Sequence, residues 1–269
     1  MKIDYCIVSA FLNGEPSSVY SGHWVFDARL PAPGEKTIFT EPDASRSVEV
    51  RQCLRQVTKI CGSFTFRNKD LVENIFADIP SVVESVNILL TVGLPSMYDA
   101  MLVEHEGNTH IVFDLINFAN YVKNGKDLAE LVDNFLTHEL IHMLINVKYP
   151  PKRQEDFGYV EYLDYISFHE GFAHLLSYED DISNYRPGNM YKERFDSTKK
   201  KLVMALNEAE PSHREKYIVE ANTGRYWDKF GAIASMLYLL KHIDSLKSIY
   251  EQGPQGYAGR IVAWDWGDK

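Results

Sequence analysis

Residues 128–145 read LAELVDNFLTHELIHMLI, a largely apolar stretch that contains two histidines. Apolar residues and two histidines recur along it at intervals of three and four, which predicts an α-helix. Because residues four apart leave the same face of a helix, His138 and His142 can reach one metal ion. Large apolar residues cover much of the remaining surface, so the helix is expected to be buried almost all round.

Polar groups inside such a helix cost free energy unless they have partners. Zinc is the simplest partner, with His138 and His142 as ligands and Glu139 placed to take a proton from an attacking water. The HExxH pattern therefore predicts Zn²⁺ as cofactor and Glu139 as general base. The alternative is that the histidines are hydrogen-bonded core residues and that Glu139 forms a salt bridge with a neighbouring helix.

A second segment, YVEYLDYISFHEGFAHLLS at 159–177, also has helical spacing and offers a third ligand. Glu170, His169 and His174 compete for this role. Glu170 and His174 share a helix face, whereas His169 diverges from Glu170 by about 100°. Glu170 is preferred because a carboxylate beside two neutral histidines leaves the site with one net positive charge. His174 would then not bind the zinc itself but would orient one of the zinc-binding side chains through its ring N–H. Gly171 should let a neighbouring helix come close.

Together the two segments resemble the gluzincin metallopeptidases, in which HExxH and a glutamate from a following helix, often in an E-G-x-A type stretch, hold zinc. By order of elements the resemblance covers roughly residues 83–240. It implies a zincin-like fold, with the active-site helix against a small sheet and peptide substrate along an edge strand. His174 departs from the pattern, since many gluzincins have there an aspartate that orients a zinc histidine. Twenty-seven residues separate His142 from Glu170.

The resemblance also implies a side chain that stabilises the oxyanion formed when water attacks a carbonyl. In RYWDKFGAIASMLYLL (225–240), Tyr226 before Gly231 resembles the tyrosine that has this role in several gluzincin-like families. His213 and Tyr217 are the other candidates.

Two further histidine patterns do not predict a metal site. A metzincin site needs glycine three residues and histidine six residues after the second ligand, where this chain has Ile145 and Lys148. The run VEHEGNTH at 103–110 has histidines five residues apart, and Gly107 with Asn108 predicts the turn of a β-hairpin.

Length and composition predict one α+β domain over residues 1–269, with 45% hydrophobic and 25% charged residues. We expect an N-terminal α/β portion at 1–80 and a metallopeptidase core at 81–269. A small mixed sheet should precede a mostly helical C-terminal half.

Charge and cysteine content restrict the partners and the compartment. A formal charge of -10 argues against nucleic acid, because the one dense basic run, 199–201, is typical of a solvated helix face. Three cysteines without CxxC spacing predict free thiols in a reducing compartment. The chain shows no signal-peptide pattern and no transmembrane-length apolar run, so a cytoplasmic location without membrane association is expected.

Local patterns predict the other elements. The first forty residues, including 4–12 and 30–36, indicate strands and loops, whereas 46–61 and 69–78 indicate helices. Strands are predicted at 83–93 and 109–118, and the second would be the edge strand that faces substrate. After Asp127 the chain should be helical except for a polar loop at 147–158 and a turn at 222–224.

The sequence thus predicts a zinc metallopeptidase that hydrolyses peptide or protein substrates. Two alternatives remain open. One is a zinc amidohydrolase that acts on a small amide. The other is a regulatory or interaction protein of zincin fold without turnover, against which the intact Glu139 argues, because a purely structural metal site requires no base.

Overall fold

The structure, a computed structural model, describes residues 1–27, 37–96, 98, 100–150, 156–178, 181–184 and 188–267. It is α+β, with a small mixed sheet followed by a mostly helical half, as predicted. The helices are α1 (Cys6–Leu12), α2 (Ser47–Gly62), α3 (Lys69–Ile75), α4 (Ile79–Ser85), α5 (Leu115–Lys123), α6 (Leu128–Lys148), α7 (Tyr159–Tyr178), α8 (Asn189–Leu206), α9 (Pro211–Asn222), α10 (Phe230–Lys241), α11 (Leu246–Gln252) and α12 (Tyr257–Ala263). The strands are β1 (Lys2–Asp4), β2 (Asn87–Thr91), β3 (Ala100–His105) and β4 (Asn108–Asp114).

The N-terminal segment differs from the prediction of strands, because residues 6–12 form helix α1 after the short strand β1. The Asp4 carboxylate accepts a hydrogen bond from the Cys6 backbone N–H, which favours the start of a helix. Ile7, Val8 and Phe11 are its buried residues. A short apolar run fits a helix as well as a strand, and the tertiary contacts decided between them. The segment 30–36 lies outside the described residues.

Helix α2 confirms the prediction for 46–61, and α3 confirms a helix within 69–78. A separate short helix, α4, follows with Pro80 in its first turn, where a missing N–H costs little. Because α4 occupies residues up to Ser85, the strand predicted at 83–93 is limited to β2.

The sheet has the strand order β1-β2-β4-β3, in which β1, β2 and β4 are parallel and β3 is antiparallel to β4. The hairpin predicted at 103–110 is confirmed, although its turn is at Glu106 and Gly107, both with positive φ. The prediction that 109–118 is an edge strand is wrong. Since β4 pairs on both sides, the edges of the sheet are β1 and β3, and from Leu115 the chain continues as helix α5.

The chain divides into two compact units: unit 1 is Met1–Thr65 with Pro80–Glu139, and unit 2 is Phe66–Ile79 with Leu140–Lys269. The division falls inside the continuous helix α6. Unit 1 contains the sheet, in which β2 is buried from Ile88 to Thr91 and β4 from Ile111 to Asp114. In unit 2, α10 is buried from Phe230 to Leu240 and packs against α7. The organisation predicted for 1–80 and 81–269 stays a prediction.

None of the described helices combines the length and the apolar character needed to cross a bilayer.

Candidate metal centre

Helix α6 places His138 and His142 one turn apart, as the sequence predicts. Its buried residues Val132, Leu136, Leu140 and Leu144 recur every four positions. The histidines therefore leave a helix whose other faces are largely withdrawn from solvent, and only 14% of the His142 side chain is exposed. A helix of this kind holds its two imidazoles with little freedom to move.

Helix α7 supplies the third member of the group, Glu170. Its Oε1 lies 3.5 Å from Nε2 of His142, and 15% of its side chain is exposed. One ligand atom from each of His138, His142 and Glu170 lies within 4.8 Å of the others, so these three residues could hold a metal ion. The structure thus brings together the three residues that were predicted as ligands.

The spacing of one pair of these atoms, from His142 and Glu170, suits a tetrahedral ion. Two atoms bound at about 2.1 Å to such an ion are about 3.4 Å apart. The distance between His142 and Glu170 already has this value within 0.1 Å, since it is 3.5 Å. Two imidazole nitrogens and one carboxylate oxygen are also a donor set that suits zinc. The residues present therefore fit the predicted metal.

Glu139 follows the first histidine on α6 and is 9% exposed. Since successive helix residues are separated by about 100°, its carboxyl group leaves the helix beside the histidine pair rather than on the same line. It does not belong to the group of three ligand atoms.

The residue that follows Glu170, Gly171, lies where helices α7 and α10 meet. A methyl group added at Gly171 would overlap the Ser235 side chain, so helix α10 lies directly against α7 here. The Ser235 hydroxyl shares a 2.8 Å hydrogen bond with the hydroxyl of Tyr257, which is wholly buried. The expectation that Gly171 allows a close helix approach is confirmed.

The two histidines that competed with Glu170 lie on either side of it. His174 places Nε2 3.8 Å from Oε2 of Glu170. His169 is 3% exposed, and its ring lies 6.1 Å from the ring of His142, nearly parallel to it. Burial and then the neighbouring His142 lower the pKa of His169 to about 3, so its imidazole is neutral. Neither belongs to the group of three ligand atoms.

Comparisons with protein-family models, with curated proteins and with solved structures give no match. The function must therefore be argued from the chemistry of the site.

The predicted oxyanion donor, Tyr226, lies in a 3₁₀ helix (Tyr226–Asp228) before α10. Its ring meets the ring of His174 edge-on at 5.2 Å, and its hydroxyl donates to the sulfur of Met236 at 3.3 Å. Of the other candidates, His213 is exposed and pairs with Glu208, and Tyr217 packs against Phe230.

Tyr165, which no sequence pattern marked as a candidate site residue, lies against His169. Its ring lies 4.0 Å from that of His169. Burial, then Tyr162 and then the charge of Glu170 raise the pKa of Tyr165 to about 12. A signal was present in the sequence, because Tyr165 precedes His169 by four residues and such residues share a helix face.

Proposed function

We propose that this chain is a zinc-dependent metallopeptidase of gluzincin type. His138, His142 and Glu170 would hold the zinc, and Glu139 would act as general base. The observation that carries the proposal is the distance of 3.5 Å between His142 and Glu170, which come from different helices. Together with His138 they form a group of ligand atoms within 4.8 Å.

Zinc bound by three side chains would polarise a peptide carbonyl and make an attacking water more acidic. Glu139 would take the proton of that water and later give it to the leaving amine. Its low exposure keeps competing solvent away from this transfer. His174, close to Oε2 of Glu170, would orient the Glu170 carboxylate.

The order of the elements supports the finer assignment to a zincin-like fold. Strands β2 to β4 precede the helix with HExxH, and a helix with the third ligand follows it, which is the order that the resemblance implies. A cytoplasmic location belongs to the same proposal, with Cys6, Cys53 and Cys61 as free thiols in support.

The test is the substitution Glu139→Gln in full-length protein with measured zinc content. Wild type should contain about one zinc per chain and cleave members of a mixed peptide library. The variant should keep zinc and fold but lose cleavage, because an amide retains the shape of the side chain and cannot accept the proton. Metal analysis by mass spectrometry and product analysis by chromatography provide the two readouts.

The matched control is Glu130→Gln, an exposed glutamate in the first turn of the same helix, which should leave cleavage unchanged. The proposal fails if wild type takes up no zinc on titration. It also fails if Glu139→Gln cleaves peptides as fast as wild type does. Zinc binding with cleavage of small amides but not of peptides would favour the amidohydrolase alternative.

A further inference from the structure

Three histidines surround Trp24 in unit 1. His105 lies on β3 and His110 on β4, and His23 precedes the tryptophan in the chain. The ring centroid of Trp24 lies 4.1 Å from that of His105, 4.9 Å from that of His110 and 5.3 Å from that of His23. These four residues form the His–Trp cluster, and none of them belongs to the candidate metal group.

The hairpin register brings both histidines of VEHEGNTH (103–110) to one face of the sheet. Val103 pairs with His110, and His105 is two residues from Val103 on the same strand, so both imidazoles leave the same face. Their ring centroids are 6.5 Å apart. The Trp24 indole contacts both rings and is nearly parallel to that of His105, at 6°. One indole therefore contacts two groups that can each gain a proton.

His23 caps the 3₁₀ helix (Trp24–Phe26) that carries the indole. Its Nδ1 accepts a hydrogen bond from the backbone N–H of Val25 at 3.4 Å. Only an unprotonated Nδ1 can accept, because both ring nitrogens of a charged imidazole are donors. Val25 and Phe26 are wholly buried and anchor the helix in the core. The backbone at Trp24, between the cap and this anchor, therefore depends on a neutral His23.

Burial and neighbouring imidazoles oppose the addition of protons to the cluster. Burial lowers the pKa of His23, and the two hairpin histidines lower it further, against the charge of Asp4 on β1. Burial and then His105 also lower the pKa of His110. An unfolded chain takes up these protons at a higher pH than the folded chain does. The contribution of the cluster to stability is therefore complete above about pH 6.5, the ordinary histidine pKa, and falls as the pH drops below it.

Other interactions favour protonation. Three carboxylates attract an imidazolium here, namely Asp4 of β1, Glu104 of β3 and Glu106 in the turn of the hairpin. A protonated His105 would also gain a cation–π contact with the indole. None of these attractions replaces the acceptor that the Val25 N–H loses when the cap is protonated. The cap therefore decides the direction of the response.

We propose that the His–Trp cluster is an acid-sensitive switch, which holds Trp24 on the hairpin at neutral pH and releases it in mildly acidic solution. Release follows from the loss of the His23 cap and from repulsion among imidazolium groups that share one indole. Only protons are exchanged, so the change is reversible. Because Val25 and Phe26 are anchored in the core, the change is confined to Trp24 and the side chains that it contacts.

The first test follows Trp24 in full-length protein labelled with fluorotryptophan. The chain contains four tryptophans, and Trp24→Phe identifies the signal of Trp24 in the fluorine NMR spectrum. Between about pH 7.5 and about pH 5, on either side of the ordinary histidine pKa, this signal should move toward the position of free fluorotryptophan. It should return when the pH is restored.

The second readout is hydrogen exchange of the Val25 amide, measured by NMR and corrected for the intrinsic exchange rate at each pH. Its protection should fall by about fivefold over the same range, the effect of losing one capping hydrogen bond. His23→Asn keeps a capping side chain that cannot titrate. Combined with His105→Gln and His110→Gln, it should abolish both changes. The matched control His213→Gln, an exposed histidine of α9, should respond as wild type does.

The inference is overturned if the Trp24 signal and the Val25 protection are the same at both pH values. It also falls if the triple variant responds as wild type does, or if protection rises in acid, which would mean that the cation–π contact tightens the cluster. The wild-type titration alone can give the first and third of these results, so the test does not require a folded triple variant. Neither readout uses zinc or peptide cleavage, so failure here leaves the proposed function untouched.

Discussion

Two acidic residues of helix α7, Asp164 and Glu170, have very different surroundings. Asp164 is 4% exposed and accepts hydrogen bonds from the backbone N–H groups of Gly256 and Ala258, both at 2.8 Å. Glu170, further along the same helix, faces the imidazoles of His142 and His174. One carboxylate therefore holds helix α12 in place, whereas the other faces groups that bind metals.

The comparison teaches that burial alone does not mark a functional carboxylate. Asp164 and Glu170 are both largely removed from water. They differ in their partners, which are backbone N–H groups for Asp164 and imidazoles for Glu170. Backbone donors satisfy a carboxylate permanently. Imidazoles near an acid are typical of a site that a cation completes.

The largest effect is expected for Glu170→Ala, which should lower zinc affinity by more than 100-fold, beyond the range for residues that only orient a ligand. His174→Ala should lower it by about 10- to 100-fold. Chelator competition measures both. If His174→Ala releases the metal and Glu170→Ala retains it, the site has three histidines and the gluzincin assignment fails.

Asp164→Ala should lower the free energy of unfolding by about 3 kcal/mol, because the buried N–H group of Ala258 and the part-buried N–H group of Gly256 lose their acceptor. Its zinc affinity should match that of wild type. Denaturant titration with zinc binding provides both measurements. The control Asp196→Ala, an exposed residue paired with Lys192 on α8, should change stability by less than about 0.5 kcal/mol. If Asp164→Ala loses zinc without losing stability, Asp164 belongs to the metal site and does not anchor helix α12.

Asp114 is the counterpart of Asp164 in unit 1, fully buried and bonded to the backbone N–H groups of Leu94, Ile116 and Asn117. Burial raises its pKa to about 6. Between about pH 4 and pH 6 the folded chain holds a proton that the unfolded chain releases. The contribution of Asp114 to the free energy of unfolding therefore falls as pH rises, by at most about 3 kcal/mol.

The measurement is denaturant titration across this pH window for wild type and for Asp114→Asn, which cannot titrate. The fall in the free energy of unfolding between about pH 4 and pH 6 should be present in wild type and absent in Asp114→Asn. Identical pH dependence in both proteins would show that Asp114 has an ordinary pKa.

Gly171→Ala should have the smallest effect on stability, a loss of about 1 to 3 kcal/mol, because the added methyl group overlaps Ser235 and α10 must shift. Zinc affinity should fall with it, since Glu170 is the preceding residue. The control Gly259→Ala in α12, where an added methyl group meets nothing, should gain up to about 1 kcal/mol. Unchanged stability and zinc binding in Gly171→Ala would mean that the helix contact does not position Glu170.

Local sequence patterns were sufficient for α2, α6, α7 and the β3–β4 hairpin, because helical periodicity and turn chemistry act over only a few residues. They were also sufficient to pair His138 with His142, which are one turn apart. They failed for residues 6–12, where a short apolar run has no unique period, and for β4, whose place in the sheet depends on distant strands.

What the sequence alone determined is a helix with two histidines and a glutamate, and a second helix with candidate ligands. Only the tertiary structure decided which candidate approaches His142, because Glu170 and His142 lie on separate helices and no local period relates them. Spacing along a helix is fixed by backbone geometry, whereas contacts between helices depend on how side chains such as Gly171 and Ser235 pack.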